Sequence, residues 1–460
     1  MRSVGDAVIG AGGELPSGTR NRRGHARERG TRGATINGQA GQLSTRQAAF
    51  IGVGSMVGAG IFSLLGAAGE VAGAAVWISF LIAGGIALLQ GYSFSKLGAR
   101  FPSAGGLMEY VGQIFGHDSH LTGIVGWLLY AANAIVTAMV AVSFGSYASS
   151  MFADGDTWAV KVFAVAVVVA MTLLNVVGSQ AVARAQTLVV VVVIGILLVF
   201  AVTTLATIEP DLLAPSGYPS VKDIVSSVAL TFFAFLGFGV ITFTAKDLAD
   251  PTRQLSRAMY LALGIATTIY VLVSLGVFGT LSVPEVIESG GTALAVAAEP
   301  VLGRAGYWLM SITALFATAG ATNAGLYPAT GLSQHMVDSR QWPPLMARTV
   351  GPKASWGLLL TAIGAALLAV FFDLSAIASI GSAVALTVFA MVSGGHMRIR
   401  RETGASAAML VLAVSTTVIV LGTFVVTTLV DEPGTAIAIG VILAISTLID
   451  VLWKRRRPAA

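Results

Sequence analysis

Gly52-Val53-Gly54-Ser55-Met56-Val57-Gly58-Ala59-Gly60 sets four glycines within nine residues of an otherwise largely apolar run. Each glycine weakens an α-helix by about 1 kcal/mol relative to alanine. The run therefore reads as a helix interrupted near its middle, with backbone amides and carbonyls released for binding. Close helix packing competes with that reading, because Gly54 and Gly58 also have GxxxG spacing. A dinucleotide fingerprint would need a preceding strand and a soluble α/β unit, and neither is present. A second interruption, Phe235-Leu236-Gly237-Phe238-Gly239, falls at similar depth in another apolar run.

Composition places both runs in a membrane. The 460 residues are 55% hydrophobic and 11% charged, with a mean hydropathy of +0.82, whereas soluble domains are about a quarter charged. There is no cysteine, and His25, His117, His120, His335 and His396 lack ligand-like spacing, so disulfides and a metal centre are not expected. The net charge of +5 resides between apolar runs and at the termini, without a basic amphipathic face. This argues for topology signals and against nucleic acid.

A helix crossing lipid needs about 20 mostly apolar residues, because its backbone must satisfy itself. Twelve spans meet that condition, at 47–68, 72–98, 121–151, 158–178, 185–207, 225–247, 257–281, 304–332, 355–372, 375–396, 406–430 and 434–453. With both termini inside, all 27 basic residues except Lys161, Lys222 and Arg304 fall on the cytoplasmic face, as the positive-inside rule requires. Residues 1–46 then read as a disordered, Arg-rich cytoplasmic tail, residues 47–397 as a transport core of ten helices, residues 398–453 as two C-terminal helices and residues 454–460 as a basic tail. The tail lacks the apolar core of a signal peptide, and Asp6, Glu14 and Glu28 weigh against a transit peptide. Residues 284–300 suit a short amphipathic helix at the outer surface.

Spans one and six hold equivalent places in two five-helix halves. Paired glycine-interrupted helices in such positions point to a transporter site at an inverted-repeat interface. Amides opening a half-helix favour a carboxylate, and carbonyls closing one favour an ammonium or sodium. A zwitterion satisfies both.

Three motifs resemble the amino acid/polyamine/organocation transporter superfamily, and within it bacterial permeases related to cationic amino-acid transporters. They are Gly54 to Phe62; Arg100-Phe101-Pro102-Ser103-Ala104-Gly105-Gly106 continuing through Glu109-Tyr110 to Phe115-Gly116; and Phe232 to Phe238 followed by Asp250-Pro251-Thr252-Arg253. Weaker similarity continues through Ala321-Thr322-Asn323-Ala324. The resemblance implies an all-α integral membrane fold with twelve transmembrane helices: a five-plus-five inverted repeat, broken helices one and six, and two extra C-terminal helices. It implies that the amides of Ala59 and Gly60 hold a substrate carboxylate, that the carbonyls of Met56, Phe233 and Leu236 take the amine, and that the Phe233 ring is a gate. Gly237 would permit unwinding, Ser55 and Gly58 would shape the first loop, and Phe235 and Gly239 complete the second.

The chain also departs from that pattern. Many relatives carry an acid at the position of Gly239, an acidic pair at Lys246-Asp247, and a membrane-embedded lysine where counting from Arg184 and Gln186 arrives at Val193. The familiar proton or surrogate-ion device is thus absent, and coupling to protons or sodium is left unassigned, with no cofactor expected.

Other polar residues carry two readings each. Arg100 and Asp247 are candidates for an inner gate, against ordinary topology and surface pairing. Glu109 reads first as a solvated loop carboxylate, and as a proton-coupling group if buried. Tyr130, Asn133 and Thr137 share one face of helix three and either line a cavity or bond between helices. Thr318, Thr322 and Asn323 have the same two readings, with sodium ligation added, and Pro328 should kink or weaken its helix.

The function expected is secondary transport of a neutral or small amino acid by alternating access, in the plasma membrane, with the lipid bilayer and the amino acid as partners. The lack of buried acids disfavours a cationic amino acid or polyamine, although carbonyl-rich or cation-π recognition could accommodate one. The alternative in another class is a sensor that keeps the transporter fold and binds without translocating. A membrane enzyme would need an acid/base or metal constellation at membrane depth, and none is seen.

Overall fold

The computed structural model describes residues 43–58, 60–103, 105–177, 180–351, 354–429 and 433–456. The expectations for the tail before Leu43, for Ala59, Ala104, Lys353, Asp431 and Glu432, and for the last basic residue, Arg457, lie outside these residues.

Polar caps start the helices where apolar runs begin. At the first, the Gln47 amide donates to Ser44 Oγ at 3.3 Å and the Ser44 amide donates back to Gln47 Oε1 at 2.9 Å, a reciprocal capping box. Ser119, Ser220, Asp250, Ser355 and Asp373 each accept an amide from the first turn of a later helix, and Pro251 occupies the helix position where its missing N–H costs nothing.

The resulting order is α1 (Thr45–Val57), α2 (Leu65–Ala72), α3 (Val76–Arg100), α4 (Leu107–Phe115), α5 (His120–Phe152), α6 (Thr157–Val177), α7 (Gln180–Ala206) and α8 (Val221–Phe233). A 3-10 helix, Leu236–Asp247, follows directly. Then come α9 (Pro251–Phe278), α10 (Val283–Ser289), α11 (Ala293–Asp338), α12 (Trp356–Phe371), α13 (Leu374–Thr403), α14 (Ala407–Phe424) and α15 (Pro433–Arg456). Residues 284–300 thus form α10 and the start of α11. One small departure from an all-helical chain is a two-residue antiparallel pair, β1 (Thr349–Val350) with β2 (Ala354–Ser355).

Among the described residues, ten segments are long and apolar enough to cross a membrane. Trp356–Phe371 is shorter, with 16 residues, and the first run is divided between α1 and α2. Helix α11 continues through Pro328; its non-helical residue is Gly303, at φ 69° and ψ −171°. The positive φ, which glycine adopts without penalty, joins a short leading segment to the long span.

The broken segments are central. In the segment Val221–Asp247 72% of the most apolar window is buried, against 17% in Pro433–Arg456. Peripheral helices turn apolar side chains outward, including Val169 and Leu173 on α6, Leu188 and Val202 on α7, and Ile419 on α14. Such surfaces suit lipid and would be a liability in water.

Candidate functional site

Helix α1 ends at Val57, and Gly58 and residues 60–64 turn before α2 begins. Within that turn the Gly60 amide donates to the Met56 carbonyl at 3.0 Å, while Ser63 and Leu64 donate to the Gly60 carbonyl at 3.2 and 3.1 Å. The Gly60 amide and Met56 carbonyl, which the resemblance assigns to opposite ends of a substrate, are bonded to one another here. They become available together only if this turn opens. Ala59 lies outside the described residues.

The second interruption is a change of helix type. Helix α8 stops at Phe233, the Phe235 amide reaches back to Phe232 at 2.9 Å, and twelve residues of 3-10 helix follow. Runs of 3-10 helix beyond three or four residues are uncommon, and one in mid-span often marks a hinge.

The two interruptions meet. A Cβ added at Gly237 would lie 2.5 Å from the Ser55 carbonyl carbon and 2.7 Å from the Met56 amide nitrogen, so only glycine allows this backbone approach. Gly60 likewise packs on Ala234, and Gly58 fits against the Ala317 carbonyl of α11. Gly54 is packed on Val190. The glycines therefore serve close packing and the helix break at once. Gly239, in contrast, borders open space, and its carbonyl accepts the Thr242 hydroxyl at 2.6 Å.

Two tyrosines hold the breaks without having stood out in the sequence. Tyr270 on α9 donates to the Ala234 carbonyl at 3.1 Å, and Tyr147 on α5 donates to the Phe62 carbonyl at 3.3 Å. Both are fully buried. A buried tyrosine in an apolar span needs a partner for its hydroxyl, which is the signal that could have found them. The Phe235 ring packs on Tyr270 with centroids 5.0 Å apart, and the buried Phe233 ring fits against Gly381. Leu236 is half-buried beside them.

Other candidates lie away from the breaks or bond elsewhere. The Tyr130 hydroxyl donates to the Gly357 carbonyl, and its ring packs on Trp127 and Trp342. Asn133 gives its carbonyl to the Thr137 hydroxyl at 2.8 Å. Thr322 donates to the Thr318 carbonyl at 2.8 Å, and Asn323 accepts from Asn175 of α6 at 2.7 Å. Val193 lines an aliphatic cavity of about 20 Å³ with Gly54, Val57, Gly58, Ala317 and others.

Arg100 stands over the Phe101 ring at 5.4 Å, and the Asp247 carbonyl accepts the Leu43 amide at 2.8 Å. Among the described residues these two form no ion pair with each other. Glu109 differs from the solvated carboxylate expected: its side chain is 17% exposed, with Gln113 at 2.8 Å, His335 at 3.7 Å and His117 at 3.8 Å. Beside it, burial and then the Glu109 charge push the Tyr110 phenol well above its ordinary value, keeping it neutral.

The sequence model of the amino acid permease family matches residues 43–451. The inner membrane transport protein YbaT of Escherichia coli is 31% identical over 412 residues, covering 88% of this chain and 95% of that protein. The methylthioribose transporter of Bacillus subtilis is 26% identical, covering 78% of this chain and 81% of that protein. The mitochondrial cationic amino acid transporter 3 of Arabidopsis thaliana is 27% identical, covering 75% and 59% respectively. With the apolar helices described above, these relationships make the protein a multi-pass membrane transporter and not an enzyme.

Proposed function

This chain belongs to the amino acid permease family, and from that premise we propose that it is a secondary transporter of a neutral or small amino acid, working by alternating access. The observation that carries the proposal is the contact of Gly237 with the Ser55–Met56 backbone, which sets two helix interruptions against one another in the buried centre. Opening the Gly60–Met56 turn would offer amides of Ala59 and Gly60 to a carboxylate. The carbonyls of Met56, Phe233 and Leu236 would take the ammonium, with Phe233 as the gate. Half-helix dipoles favour this polarity, positive at the amide end and negative at the carbonyl end.

The proposed architecture has twelve membrane helices: ten in a five-plus-five inverted repeat and two at the C-terminal end. Both termini face the cytoplasm and the plasma membrane is the site of action, a placement that the distribution of Lys and Arg supports. The relatives are named for cationic amino acids and methylthioribose. A neutral amino acid is the reading preferred here, because residues 52–64 and 233–241 contain no acid to balance a second positive charge.

Uptake by proteoliposomes across the twenty amino acids, with and without sodium and a pH gradient, tests the proposal. Saturable uptake of at least one neutral amino acid is expected. Transport confined to lysine, arginine or a polyamine would replace the substrate class, and saturable binding without flux would favour a sensor.

A further inference from the structure

Most hydroxyls in the described spans are satisfied by their own helix. Thr172, Thr204, Ser274, Thr318 and Ser333 each donate to the carbonyl four residues earlier. Among the described residues five buried serines are different, with no hydrogen-bond partner for the hydroxyl oxygen: Ser63, Ser143, Ser227, Ser311 and Ser382. Ser143 on α5 and Ser311 on α11 have the same local option and do not use it.

Neighbouring contacts set three of them, Ser63, Ser143 and Ser311, beside the first break. On α5 and α11, Ser150 pairs with Tyr307 while Thr137 lies against Gly325, so the two helices run antiparallel. Interpolating between those contacts sets Ser311 level with Tyr147, whose hydroxyl reaches the Phe62 carbonyl next to Ser63. It sets Ser143 level with Ala317, whose carbonyl meets Gly58. Ser143 and Tyr147 share a face of α5 through their spacing of four residues, as Tyr307 and Ser311 do on α11. The three hydroxyls thus border the first helix break from Gly58 to Ser63.

An unpaired buried polar group is costly, and a site built to bond a hydroxyl rejects an isostere lacking it. We propose that Ser63, Ser143 and Ser311 form the side-chain subsite of the transporter and select an amino acid bearing a neutral hydroxyl or carboxamide. This rests on the amino-acid reading above and narrows its substrate class. The backbone of the two breaks would hold the zwitterion, and the three hydroxyls would exchange hydrogen bonds with the side chain.

Counterflow competition in proteoliposomes, comparing threonine with its isostere valine and asparagine with leucine, reads the preference directly. Threonine should compete about tenfold better than valine in the unsubstituted protein, the effect of one such bond. Ser63→Ala, Ser143→Ala and Ser311→Ala should each shrink that ratio. Their thermal midpoints without substrate should not fall, since alanine removes an unpaired group, while the midpoint rise on adding threonine should diminish. Equal competition by threonine and valine in the unsubstituted protein overturns the inference alone, as does an unchanged ratio in all three variants. Failure of every amino acid to exchange overturns the transport reading and this inference together.

Discussion

The Tyr270 hydroxyl lies 3.1 Å from the Ala234 carbonyl, so α9 supports the last turn of α8 where the chain changes helix type. The same Ala234 carries Gly60 of the other break against its side chain. One phenol thereby steadies the contact between the two interrupted segments. Tyr270→Phe keeps the ring between Phe80 and Phe235 but leaves the carbonyl unpaired. We expect a loss of about 1–2 kcal/mol in stability, read by thermal or denaturant unfolding in detergent, with slower uptake. Unchanged stability and uptake would show that the bond supports nothing.

Gly237 and Gly239 make a matched comparison. A methyl at Gly237 must enter the Ser55–Met56 backbone, whereas one at Gly239 enters open space. Gly237→Ala should reduce uptake at least tenfold through displacement of the paired breaks, and Gly239→Ala should stay within about twofold, the range of a neutral change. Initial uptake rates, normalised to protein in the vesicle, give the comparison. Equal activity in the two variants would contradict the close approach.

Asp450 on α15 is fully buried, with His120 Nδ1 at 2.6 Å and Lys454 Nζ at 3.0 Å. Lys454 also donates to the Ser119 carbonyl at 2.7 Å. Removing one member of a buried pair typically costs about 3–5 kcal/mol, because the other charge is left behind. Asp450→Ala should therefore lower folding yield and thermal stability while leaving the KM of surviving protein unchanged, the carboxylate being remote in the chain from both breaks. A raised KM with normal stability would assign it to the substrate path.

The Asn175 amide on α6 reaches Asn323 of α11 at 2.7 Å, an interhelical bond of the kind worth about 0.6–2 kcal/mol in membranes. Asn175→Leu should destabilise by that order and leave substrate preference intact. A changed preference, measured in the same competition assay, would return Asn323 to the cavity.

The first break was legible because its cause is local. The crowded glycines, from Gly52 to Gly60, span the interruption after Val57, whereas the caps Ser44, Ser220 and Asp250 went unread. The competing packing explanation was also legible, yet its partners were not, since Gly58 meets Ala317 and Gly237 meets Ser55 across hundreds of residues. The 3-10 form of Leu236–Asp247 extends well past the glycines that marked the second interruption in the sequence. Glu109 illustrates the same limit: its neighbour His335 comes from α11, so its burial depends on tertiary contact. The break at Gly303 reflects a single left-handed residue that apolar periodicity does not register.

The central claim is that the paired breaks read both charged ends of an amino acid. Counterflow of a transported amino acid in competition with its carboxamide and its N-acetyl derivative tests this most directly, since each analogue loses one charge and keeps the side chain. The account predicts strong competition by the parent and at least tenfold weaker competition by both derivatives, a loss of about 1.4 kcal/mol or more for each missing end. Competition by either derivative at the parent's strength would contradict it.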